Sequence, residues 1–459
     1  MAAQKGSCFR GFQLMLQPSS YFPRRFRGLR PSLARAMSTP SSEPTPMIHE
    51  AIDEETIPNY SPNDYYSTHS GHVLNNRYQA ITKLGWGFGS TLWLAEDLWR
   101  FNEVESPRYV AVKIGACTYG SIAAAEHELT LSQRIASTNP SHPGAGYIRT
   151  PIDNFQINGS HGIHICLVYR PMRETLYDFQ RRFKNRRLPR QLLKLYVVLL
   201  LQGLNYLHSE YLKDDNVLVD LESESVLEDF VQQQRQISLP RHVMDDGHIT
   251  YLSQSEFGPL RDYFILPEIA DLDLAQSGDG PARIHPVQPH RYRAPEVILG
   301  TGWSYSADIW NMGVLIWNMM EGKDLFTDLK DEEGHYNAHA HLAQMTALLG
   351  PPLMALLKRE RSFRKLTFAP EVQNPKGQLC RNAFQYFGGP FFDDNGEFIR
   401  KDLIPRDLRI AETVTLFQGV ENQQFLDFVS KMLQWQPEKR RTAKDLLEDP
   451  FLQLEGEDD

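Results

Sequence analysis

Cysteine is scarce in this chain. Its 459 residues include four, Cys8, Cys117, Cys166 and Cys380, far apart and with no CxxC pair. That spacing excludes a disulfide scaffold, argues against a structural zinc site, and suits a reducing compartment. Long apolar runs are also missing. The most apolar stretch, residues 192–207, is interrupted by Lys194, Gln202 and Asn205, so it predicts a buried helix and not a membrane span. No internal repeat is present. Acids are absent from the first 42 positions, which hold Lys5, Arg10, Arg24, Arg25, Arg27, Arg30 and Arg35; Glu43 is the first. The whole chain carries −9, so removing those seven positive charges leaves −16 on residues 43–459. A body that acidic repels phosphates, predicting no direct nucleic-acid partner and suiting a basic one.

What is present is ordinary globular composition, 41% apolar and 23% charged. The length fits a few domains or one large two-lobed unit. Residues 1–46 form a basic, Ser/Pro-rich tail. Their acid-free, Arg-rich character matches a mitochondrial transit peptide over 1–37, although Pro18, Pro23 and Pro31 would interrupt a long amphipathic helix. Residues 47–76 read as an extended lead-in, with order beginning near Arg77. Strand patterns follow at 78–112 and 163–169, with a helix at 123–135 between them. Helical patterns dominate later, at 190–207, 308–321, 336–348 and 422–434. This order predicts an α+β, two-lobed fold: a β-rich lobe over about 78–172 and a helical lobe over about 173–452. Residues 221–266 are polar and poorly periodic and read as an insert. Residues 360–415 read as a second, partly ordered one. Residues 453–459 are an acidic tail. The stretch from Phe392 to Glu397 hints at a calcium loop, but its register is wrong and a tight Asn-Gly turn explains it.

Gly85-Trp86-Gly87-Phe88-Gly89-Ser90 falls between two strands, where glycines let backbone N–H groups approach phosphate oxygens. Val110-Ala111-Val112-Lys113 then ends a strand on a lysine flanked by apolar residues, costly unless it meets an anion. A helix about 15 residues on offers Glu126 or Glu128, and Glu128 fits better because Leu129, Leu131 and Ile135 define a buried side around it. Lys213-Asp214-Asp215-Asn216 precedes an apolar strand, and Asp271 follows another. An Asn and an Asp brought together make hard oxygen ligands for Mg²⁺. Arg293-Ala294-Pro295-Glu296 and Asp308 come next.

In this order, from about Arg77 to Leu452, the motifs resemble a eukaryotic protein kinase. Within kinases the chain is similar to the SR-protein kinase family, especially its divergent fungal members. The residues carrying that match are Leu74-Asn75-Asn76-Arg77-Tyr78, Leu84-Gly85-Trp86-Gly87, Ser90-Thr91-Leu92-Trp93-Leu94-Ala95-Glu96-Asp97, Tyr292 to Gly300, and Leu348-Leu349-Gly350-Pro351-Pro352. The long stretch between Asn216 and Asp271 fits as well. The resemblance implies ATP and Mg²⁺ between two lobes and transfer of the γ-phosphoryl group to Ser or Thr of proteins. It further implies basic, Arg/Ser-rich substrates linked to mRNA splicing, no membrane partner, and a location in cytoplasm and nucleus. It places Leu84, Gly85, Trp86, Gly87, Phe88, Gly89 and Ser90 over the nucleotide, Lys113 on its phosphates with Glu128 as partner, and Tyr169 to Met172 at the hinge that receives adenine. Lys213 matches the catalytic-loop lysine, Asn216 and Asp271 the metal ligands, Glu296 and Arg440 a buried structural ion pair, and Asp308 the brace of the catalytic loop.

The catalytic loop departs from the family pattern. Tyr206-Leu207-His208-Ser209-Glu210 runs straight into Tyr211-Leu212-Lys213-Asp214-Asp215-Asn216. Aligned on Asn216, the base aspartate position holds Tyr211; aligned on His208, about six residues of the pattern are missing. A tyrosine does not replace a carboxylate that orients a hydroxyl at neutral pH. Asp273 stands where the family has glycine. Two readings follow. Either the chain is a pseudokinase that binds a nucleotide or a partner, or the intact flanks mark a misplaced splice boundary in an active kinase; the clean excision favours the second.

Overall fold

Alternation of apolar residues on two faces accounts for the first sheet. The computed structural model describes residues 47–99, 107–209, 216–272 and 283–453. After β1 (Met47–Ile48) come β2 (Val73–Leu74), β3 (Tyr78–Gly87), β4 (Ser90–Asp97), β5 (Tyr109–Gly115), β6 (Asp153–Asn158) and β7 (Ile163–Tyr169). Strands β2 to β7 form one antiparallel sheet in the order β2-β3-β4-β5-β7-β6. Val110, Val112, Trp93, Cys166 and Val168 pack on one face. Tyr109, Ala111, Leu94, Leu167 and Tyr169 pack on the other, as the two-residue period of a strand requires. Helix α1 (Tyr119–Thr138) covers the second face and is capped by Thr118, whose side chain accepts from the Ser121 amide.

The helical lobe is built around one large apolar cluster. It follows β8 (Glu174–Thr175) and α2 (Leu176–Arg181) with α3 (Arg190–Ser209). Leu193, Tyr196, Val197, Leu200, Leu201 and Leu207 of α3 are buried with Trp310 and Trp317 of a later helix, Ser306–Glu321. Lys194 reaches Glu421 at 3.4 Å, which resolves the one charge in that run. Among the described residues no helix is long and apolar enough to cross a membrane. Strand β9 (Asn216–Val219) pairs with β8 and with a later strand, Pro267–Ala270, beneath the first sheet's cleft.

Three expectations need correction. Order does not begin at Arg77, and residues 47–76 are not simply extended: they form short helical turns and strands that hold the N-lobe. Lys83, 1% exposed, points from β3 into this segment and pairs with Glu54 and with Asp53 at 3.0 Å. Burial raises the Glu54 carboxyl, opposed by Lys83. A buried lysine demands such partners, and both lie about 30 residues back in the chain.

The segment 221–266 is likewise part of the N-lobe core. Helix α4 (Glu224–Gln234) puts Val226, Leu227, Phe230 and Val231 into one cluster with Ile81, Leu84 and Leu94. Beyond it, β10 (Arg241–Val243) pairs parallel with β1 and antiparallel with β11 (Ile249–Tyr251). Most polar residues of α4 face solvent and mask its stripe in the composition, while Gln234 is buried and accepts from the Thr82 hydroxyl.

In 360–415, Phe387, Phe391, Phe392 and Phe398 join the helical lobe's core. These aromatics follow no helical or strand period. Phe392 bridges Phe398 across the turn, where Asp393 Oδ1 accepts from the Asn395 and Glu397 amides, both at 2.9 Å.

Candidate active site

The cleft between the lobes is a cavity of about 660 Å³. Its roof is the β3–β4 hairpin, in which Gly85 and Gly87 belong to the strand and only Phe88–Gly89 form the turn. A Cβ added at Gly85 would meet nothing, whereas one at Gly89 would lie 2.6 Å from Ser121 Oγ, so the tip sits hard against the start of α1. Trp86, Gly87, Phe88, Gly89 and Ser90 all line the cavity. Phe88 is 82% exposed at the tip.

Lys113 stands on β5 opposite Leu92 and Leu167. Its Nζ lies 2.8 Å from Glu128 Oε2 and 3.2 Å from Asp271 Oδ1. Of the two candidate carboxylates on α1, Glu128 makes the pair, and it is buried while Asp271 is half exposed. Tyr169 donates to the other Glu128 oxygen at 2.5 Å. That carboxylate therefore holds two hydrogen bonds and fixes α1 against the sheet. Asp271 takes a left-handed backbone, φ 66°, strained for a residue with a Cβ. The main chain of Asn216 pairs with Ala270, next to Asp271. Lys213, Tyr211, Asp214, Asp215 and Asp273 lie outside the described residues. The donor set, one cation flanked by carboxylates under a glycine-bearing hairpin, fits a metal-bound polyphosphate.

Three expected nucleotide contacts, Leu84, Gly85 and Met172, do not line the cavity. Leu84 is buried in the cluster that contains α4, and Met172 is partly buried outside the lining. The cavity instead continues down to Leu200, Leu204, Asp308 and Met312. There His208 Nε2 lies 3.0 Å from Asp308 Oδ2, so the last turn of α3 contacts the residue assigned to brace the loop. Glu296 and Arg440 form a bidentate pair with both contacts at 2.6 Å.

One cleft residue escaped sequence reasoning. Arg149 lies in no motif, and its place is set by a distant contact, its amide donating to the Ile269 carbonyl at 2.8 Å. Its guanidinium stands 4.3 Å from the centre of the Tyr169 ring.

Lys113→Ala should weaken Mg-ATP binding roughly 10- to 100-fold, the worth of a hydrogen bond to a charged group. Calorimetry on both proteins checks this, and equal affinity would remove Lys113 from the phosphate role.

The protein kinase domain family matches residues 262–452. A serine/threonine protein kinase of Aspergillus fumigatus is 32% identical over 420 residues, covering 90% of this chain and 94% of that one. The serine/threonine-protein kinase SRPK of Physarum polycephalum is 29% identical, over 87% of this chain and 91% of its own length. Among solved structures, a kinase domain superposes with a TM-score of 0.58 at 20% identity, over 85% of this chain and 99% of that one.

Proposed function

The chain belongs to the serine/threonine protein kinase family, and from that premise we propose that it takes ATP with Mg²⁺ and acts on basic, Arg/Ser-rich proteins linked to mRNA splicing. One observation carries the nucleotide part: Lys113 lies within reach of both Glu128 and Asp271 in the cleft. Bound Mg-ATP supplies the phosphoryl group. Lys113, oriented by Glu128, would meet its phosphates and Asp271 would offer oxygens to the metal; Asn216 and Lys213 match by sequence the family's second metal ligand and the lysine that balances charge during transfer. The substrate part is supported by likeness to the Physarum kinase named SRPK and by the −16 carried on residues 43–459.

The substrate reading is tested by binding, which needs no turnover. An Arg-Ser repeat peptide should bind at least about tenfold tighter than its Ala-Ser counterpart at low salt, with the difference shrinking as salt screens it. Equal anisotropy curves for the two peptides would end the proposal.

A second reading is favoured by Tyr211 at the base position and by the His208–Asp308 contact. In it the chain binds nucleotide or partner without turnover. For location, we propose cytoplasm and nucleus, with residues 1–37 as a competing mitochondrial signal. Fused to a fluorescent reporter, residues 1–37 decide between them: mitochondrial fluorescence supports the signal, and diffuse cytosolic or nuclear fluorescence removes it.

A further inference from the structure

The wall of the cleft carries a charged group beside the hinge segment. Arg149 lines the cavity together with Tyr169, Leu218 and Ala270. Its guanidinium lies over the Tyr169 ring, 4.3 Å from the centroid, a stacking that fixes the plane of the fork. Nη2 donates to the carbonyl of Arg170, within the hinge segment 169–172, at 3.1 Å. Nε is buried and has no hydrogen-bond partner. Glu128, Asp271 and Glu268 are close enough to act on its charge, but among the described residues no carboxylate takes a hydrogen bond from it. A cation in a cleft wall, with N–H groups left over and an aromatic ring holding it flat, is built to meet an acceptor.

That geometry decides which purine edge fits. Arginine offers five N–H donors and no acceptor. The Arg170 carbonyl, an acceptor in the hinge segment, already receives one of them. An adenine amino group brought to this wall is a donor facing a donor. A purine with a carbonyl at C6 presents O6 and N7, two acceptors spaced for a guanidinium fork. We propose that Arg149 is a specificity-determining residue that turns the base subsite toward 6-oxopurine nucleotides, so that GTP and ITP bind at least as well as ATP. This rests on the nucleotide reading of the cleft, and it agrees with the loss of Leu84 and Met172 from the lining. Arg149 acts on the base and not on the phosphates, so it alters the choice among nucleotides and leaves the Lys113 contact in place.

The test is calorimetry of the full chain with Mg²⁺ and ATP, GTP or ITP, on the wild type and on Arg149→Leu. ITP isolates the C6 carbonyl because it lacks the guanine amino group. In the wild type, ITP and GTP should equal or exceed ATP in affinity. Arg149→Leu should shift the ITP:ATP affinity ratio roughly tenfold toward ATP, within the range of one bidentate base contact. Wild-type preference for ATP over ITP overturns the proposal even if the variant does not fold. An unchanged ratio in a folded variant also overturns it. A wild type that binds none of the three, and behaves as Lys113→Ala does, overturns the nucleotide reading itself.

Discussion

Arg440→Ala lowers the stability of the helical lobe by about 3–5 kcal/mol, the cost of leaving one half of a buried ion pair behind. Both side chains of the pair are wholly buried, and the fork meets the carboxylate at 2.6 Å on each side. The same guanidinium donates to the Ser306 and Gln434 carbonyls at 2.7 and 2.9 Å. It thereby ties the start of the Ser306–Glu321 helix to the segment around Trp435. Removing it strands the Glu296 carboxylate and two carbonyls away from water. Denaturant unfolding followed by tryptophan fluorescence measures the loss. The double variant Glu296→Leu/Arg440→Met should be less destabilised than either single variant, since no charge is left uncompensated. A loss under about 1 kcal/mol for Arg440→Ala would show that the pair does not hold the lobe together.

Legibility in the sequence followed the range of the interaction. The strand at Ile163–Tyr169 and the helix at Arg190–Ser209 depend on apolar patterns within themselves, and both were readable to within two residues. Lys113 and Glu128 were readable because each sits in its own apolar frame on a regular element. Lys83 was not: its partners Asp53 and Glu54 lie in a segment with no strand or helix period. Arg149 was hidden for the same reason, its position depending on a main-chain bond to Ile269. In α4, charged and amide side chains outnumber the apolar stripe, so composition pointed to an exposed insert while Phe230 and Val231 were buried under the sheet. The left-handed backbone of Asp271 follows from the surrounding fold and has no counterpart in residue type.

Nucleotide binding and phosphoryl transfer should be separable in this chain. Lys113, Glu128 and Asp271 are assembled, whereas the segment after His208 lacks the aspartate that orients the substrate hydroxyl. His208 lies against Asp308, a nearly buried carboxylate assigned to brace a complete loop. Inserting a family-like segment ending in His-x-Asp before Leu212 restores both the missing length and the missing base. A positioned acid/base group contributes roughly 10²- to 10⁴-fold, and alignment of the nucleophile adds to it. The direct measurement is radiolabel transfer from ATP to an Arg-Ser peptide by the chain as it stands and by the repaired chain, under one condition. Transfer barely above background is expected for the first and at least roughly a hundredfold more for the second; robust transfer by the unrepaired chain would show that binding and transfer are not separated and point to Asp214 or Asp215 as the working base.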